Sequence, residues 1–78
     1  MIFIMFATAN PERFADLFHL LRNMNVPEGI KIHEKLEIFG KPDVVLVFEA
    51  PNEELASSFI EQFGRVSTVT THLAMRVK

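Results

Sequence analysis

No cysteine occurs among the 78 residues, and that absence removes disulfides, thiolate nucleophiles and Cys-type zinc sites together. Glycine is nearly as scarce, and no glycine-rich phosphate loop is present. The three histidines, His19, His33 and His72, stand apart without ligand spacing inside any one element, so neither a metal site nor a cofactor is expected. There is no basic excess either: eight Lys and Arg face ten Asp and Glu with no basic run, which argues against nucleic acid as a partner. Long hydrophobic runs are also missing. "MIFIMF" has no basic flank and stops at Asn10 and Pro11, too soon for a targeting segment or a membrane span. A soluble, cytoplasmic protein is expected.

What the chain does have is apolar material. Hydrophobic residues make up 49% of it and eight are Phe, yet a chain of this length buries only about 60 to 65% of its unfolded surface. One small domain spanning residues 1–78 does not easily hide so much, and a partner surface is implied.

Along the chain, Met1 to Ala7 is a continuous apolar run and reads as a buried strand. In "NPERFADLFHLLRNM", Asn10 suits an N-cap and Pro11 the first helical position, while Phe14, Leu17, Phe18 and Leu21 recur at helical spacing. Pro27 and Gly29 end that segment. "IKIHEKLEIF" then alternates, with Ile30, Ile32, Leu36 and Ile38 on one face and Lys31, His33, Lys35 and Glu37 on the other. After the "GKPD" turn, Val44 to Phe48 is apolar on both sides. Pro51 and Asn52 open a second helix whose stripe is Leu55, Ala56, Phe59, Ile60 and Phe63, with Gly64 as its expected C-cap. A last strand, rich in Val and Thr, places Val69, Thr71 and Leu73 on one face and Thr70, His72 and Arg76 on the other.

The order strand, helix, strand, strand, helix, strand is that of an α+β ferredoxin-like βαββαβ sandwich, a four-stranded antiparallel sheet with two helices on one face. Right-handed crossovers make the first and third strands the central pair, and these are the two that lack a polar side. Two helices cover only one face. The other is expected to be covered by a second copy, giving a homodimer or higher homo-oligomer.

Pairing Phe39 with Val44 across the turn sets Leu46 against Glu37, Phe48 against Lys35 and Ala50 near His33. On that register Val45 and Val47 meet the helices together with Ile32, Leu36 and Ile38, and Val44, Leu46 and Phe48 form the dimer interface. The helix-free face would be apolar at its centre and rimmed by His33, Lys35, His72 and Arg76. These supply donors and a proton carrier for a small molecule bearing an anionic or carbonyl group. The same residues also suit a simpler role, protecting edge strands from sheet extension. Glu34 is set opposite Glu49, a carboxylate pair that could do acid-base work or be bridged by a partner's cation. Ser57 and Ser58 lie mid-helix without a nearby histidine and give no support to nucleophilic catalysis.

The stretch "GIKIHEKLEIFGKPDVVLVFEAPNEELASSFIEQFGRVSTVT" resembles the GYD-domain proteins, small stand-alone chains of the dimeric α+β barrel group. The resemblance rests on the lysine-containing second strand, Asp43 before a Val-rich strand, "EAPNEE" at a helix start, and Val66, Thr68 and Thr70 opening the last strand. It departs at the tyrosine of the family's name, because Lys41 and Pro42 stand between Gly40 and Asp43. The last two strands and second helix are also similar to the ligand-binding module of Lrp/AsnC regulators, without a preceding helix-turn-helix. The resemblance implies a dimeric α+β barrel assembly. For function, three expectations stand: a non-catalytic small-molecule-binding or regulatory module, a cofactor-independent monooxygenase- or isomerase-like enzyme acting on a small carbonyl or aromatic substrate, or an assembly protein without ligand. Fold-level kinship does not choose among them.

Overall fold

A computed structural model describes residues 1–78. The opening apolar run becomes β1 (Ile2–Ala9). It extends past Ala7 because Thr8 and Ala9 pair with the start of the last strand and the Ala9 N–H donates to Asp43 Oδ2 at 2.8 Å. The helix that follows, α1 (Phe14–Arg22), begins later than the Asn-Pro signal implies. Asn10 spends its carbonyl on a turn, accepting from the Arg13 N–H at 2.9 Å, and Glu12 sits at φ +66°, outside helical geometry. Arg13 therefore takes the cap position, with no side-chain cap bond. Leu17 and Leu21 are buried, whereas Phe14 stays about half exposed.

β2 (Lys31–Glu37) and β3 (Val44–Glu49) form a hairpin whose turn uses Gly40 at φ +122°, a conformation open chiefly to glycine. At the start of α2 (Glu53–Ile60), Asn52 caps as its residue type requires, its side chain accepting from the Leu55 N–H at 2.8 Å. Gly64 does not end that helix. The chain continues as a 3₁₀ helix over Glu61–Arg65, with Gly64 inside it, and only then enters β4 (Ser67–Ala74).

The sheet order is β2-β3-β1-β4, all neighbours antiparallel, so β1 and β3 are central as expected. This is the βαββαβ ferredoxin-like α+β fold. Neither helix is long and apolar enough to cross a membrane.

The faces are reversed relative to the sequence expectation. Val44, Leu46 and Phe48 are fully buried within the single chain, packed with Leu17, Phe59 and Phe63 in one core cluster. They cannot form a dimer interface. Val45 and Val47 lie on the helix-free side and remain partly exposed. The cause is ring packing: Phe48 stacks on its cross-strand partner Phe3 at 5.5 Å and meets Phe59 edge-on at 5.1 Å, and Phe59 in turn meets Phe63 at 6.3 Å.

A turn longer than expected, from Ile38 to Asp43, and a β-bulge in β2 account for the rest. Ile32 pairs with Phe48 and Glu34 with Val47, so two steps on β2 match one on β3 and His33 is the extra residue. Beyond it Lys35 pairs with Leu46, Leu36 with Val45 and Glu37 with Val44, a two-residue difference from the expected register. The bulge separates Ile32, on the helix side, from Leu36, which goes to the open side and is 45% exposed.

Candidate functional site on the open sheet face

Cross-strand register places residues on the open face in rows. Leu36, Val45, Phe6 and Thr70 form one row, and Glu34, Val47, Ile4 and His72 the next. Lys31, Glu49, Ile2 and Ala74 close that end of the sheet. The centre is apolar, with β-branched Ile4, Val45 and Val47 around Phe6. The polar groups lie at the two edge strands, where β2 contributes Lys31, His33 and Glu34 and β4 contributes Thr70 and His72.

Three of the four residues expected at a ligand site share this face. His33 and Arg76 line one pocket with Ile2, Val47, Ala74 and Met75, a hollow of about 240 Å³ crossing all four strands at the end where Arg76 follows β4. His72 belongs to the adjoining row, its ring edge-on to Phe6 at 5.9 Å. Lys35 does not join them, because its pairing with Leu46 puts it on the helix side.

The carboxylate pair is likewise revised. Glu49 pairs with Lys31 in the ladder, and Glu34 with Val47, so the two acids are not opposite one another. The bulge instead brings His33 Nε2 to 3.4 Å from Glu49 Oε2, with the two side chains 27% and 38% exposed. A carboxylate at that position fixes the imidazole's orientation and becomes an ion-pair partner when the ring is protonated. Strict alternation cannot reveal such a contact, and the only sequence trace of it is an acid at the end of an otherwise apolar strand.

Three further hollows lie away from this face, the smallest, of about 300 Å³, between α2 and β4; the other two are larger. One, of about 950 Å³, runs between α1 and the 3₁₀ helix and is lined mainly by polar groups. Its Arg13 is paired with Asp16, and its Gln62 joins the chain at Asn25 and Phe59 by hydrogen bonds. The second, of about 850 Å³, lies at the end of the sheet between the start of α1 and the β2–β3 turn. At its edge Glu37 receives two hydrogen bonds from Arg22, at 2.6 and 2.8 Å. The bond to Glu37, and then its charge, holds the Arg22 guanidinium above its ordinary pKa. No group of three or more potential metal-ligating side chains is assembled anywhere. His19 is exposed on α1 beside Asn23, and Ser57 and Ser58 are exposed on α2.

No family model, curated protein or solved structure matches the chain.

Proposed function

We propose that this chain acts as a homodimeric, non-catalytic binding module in which two copies pack open face to open face and enclose a small-molecule site at the rim. The observation that carries the reading is the apolar centre of that face, Ile2, Ile4, Phe6, Val45, Val47 and Leu36, which no helix of the same chain covers. Four strands about 4.8 Å apart, with about eight residues rising roughly 3.3 Å each, present a face of roughly 500 Å² in projection. Two such faces together reach the order of 1,000 Å² at which specific interfaces begin.

Polar complementarity supports a second copy as the occupant. A two-fold axis along the strands sets β2 of one copy over β4 of the other, and Glu34 and His72, which share a row, then face each other across the interface. The resemblance to GYD-domain chains points the same way. The hollow beside His33 and Arg76, too small and open alone for a specific ligand, would be closed by the partner into a site for a compound with an anionic or carbonyl group.

The 3.4 Å contact of His33 with Glu49 favours one second reading, a cofactor-independent enzyme in which His33 takes a proton and Glu49 orients it. Sedimentation velocity at micromolar concentration tests the assembly: the parent chain should run as a dimer, and Val47→Glu as a folded monomer. A monomeric parent overturns the dimer and the enclosed site together. Loss of a native-mass-spectrometry ligand adduct in His33→Ala supports the binding module. Turnover that falls in both His33→Ala and Glu49→Gln would install the enzyme in its place.

A further inference from the structure

The groove at the end of the sheet, remote from the open face, contains an unusual acceptor. Asp43 is 95% buried, its exposure being 5%. Its Oδ2 accepts the Ala9 N–H at 2.8 Å, whereas Oδ1 has no protein donor and is not sealed from solvent. Asp43 lines the groove of about 850 Å³, so this oxygen is available to a molecule lying there. The surrounding walls are aromatic and aliphatic: Phe14, Phe18, Ile38, Phe39 and Pro11.

The other charges at the groove are already accommodated. Glu37 has both carboxylate oxygens engaged by Arg22. Lys41 is exposed at the rim, where its methylene stem adds apolar wall and its ammonium stays in water. The Asp43 oxygen is thus the acceptor left without a partner. Nearly buried carboxylates are stabilised by charge-assisted donors, and aromatic faces also attract cations.

We propose that this groove binds an apolar amine, whose aromatic or branched aliphatic body lies against Phe14, Phe18 and Phe39 and whose ammonium donates to Asp43 Oδ1. Phe14 and Phe18 pack against each other, ring centroids 6.1 Å apart at a tilt of 50°, and together form one aromatic wall for such a body. Phe39 projects fully into solvent beside Gly40 and is the residue placed to fold over the bound molecule. A carboxylate ligand of the same shape is disfavoured by repulsion from Asp43.

Amide-resolved NMR titration of the intact chain with phenethylamine, and separately with 3-phenylpropionate, tests the site. Shifts should concentrate at Ala9, Phe14, Phe18, Phe39, Gly40 and Asp43, with the amine binding at least about tenfold more tightly than the acid. Asp43→Asn keeps an oxygen for the Ala9 N–H and turns the other side-chain atom into a donor, so it should remove that preference while the fold persists. Phe39→Ala, at an exposed position, should weaken the amine severalfold and leave the melting temperature unchanged, which keeps the site testable if Asp43→Asn unfolds. The proposal is overturned by an absence of saturable shifts, by equal binding of the acid, by shifts confined to the open face, or by Phe39→Ala binding the amine undiminished.

Discussion

Phe48 and Val47 are consecutive in the chain and inhabit opposite faces of the sheet. The two faces of the central strands are about equally hydrophobic, yet they differ in side-chain shape. Toward the helices point Phe3, Met5, Leu46 and Phe48, unbranched at Cβ and long enough to reach across the space between sheet and helix, with the smaller Ala7 and Val44 at one end. Away from them point Ile2, Ile4, Val45 and Val47, stiff β-branched groups, with Phe6 the one ring among them. Hydrophobicity alone marks both faces for burial. The packing of Phe3 and Phe48 with Phe59 decides which one is buried within the chain, and the largely β-branched open face suits sheet-on-sheet packing.

Paired substitutions break or sharpen that contrast. Phe48→Ala should cost about 3–5 kcal/mol, measured by chemical denaturation and independent of protein concentration, because the ring is packed within one chain. Val47→Ala should cost the isolated chain no more than about 1 kcal/mol, with any larger loss growing as the protein is concentrated. Equal, concentration-independent losses at both sites would erase the distinction between the faces. At the end of the sheet, Asp43→Ala should cost about 1–3 kcal/mol by stranding the Ala9 N–H, and hydrogen exchange at Ala9 should accelerate.

The smallest effect is expected where α1 meets the edge strand. Glu37→Gln weakens the exposed link to Arg22 and should leave the melting temperature within error of the parent. Because the folded Arg22 pKa is raised, the pair's contribution is complete below the ordinary arginine range and is lost only in stronger alkali. Thermal melts across neutral pH should therefore show no step from this pair.

The same contrast explains what could be read in the sequence. Element order, the central placement of β1 and β3, the Asn52 cap and an uncovered apolar face were all legible, because periodicity and apolar runs report burial directly. The assignment of Val44, Leu46 and Phe48 to the outer side was not. It rested on taking the face shared with the charged Lys35 and Glu37 as the one away from the helices, whereas Glu37 is held by Arg22 of α1, and a strand apolar on both sides offers no polar residue of its own to choose. The bulge was equally hidden, since Ile32, Leu36 and Ile38 keep even spacing across it, interrupted only by Glu34. The start of α1 was misplaced for a different reason: Asn10 and Pro11 have the composition of a helix start and serve a turn instead. Of the candidate site, His33, His72 and Arg76 fell on one face as read, whereas Lys35 went with Leu46 to the helix side and the Glu34 and Glu49 pair, which rested on the register, was separated by it.

β2 has seven residues and β3 has six. Remove His33 from the count, and Lys31, Ile32, Glu34, Lys35, Leu36 and Glu37 match Glu49 back to Val44 one for one, every side chain keeping its face. The hairpin is complete without this residue. His33 is a surplus letter in the strand, and the surplus letter is the one whose ring reaches Glu49 and the small hollow beside Arg76.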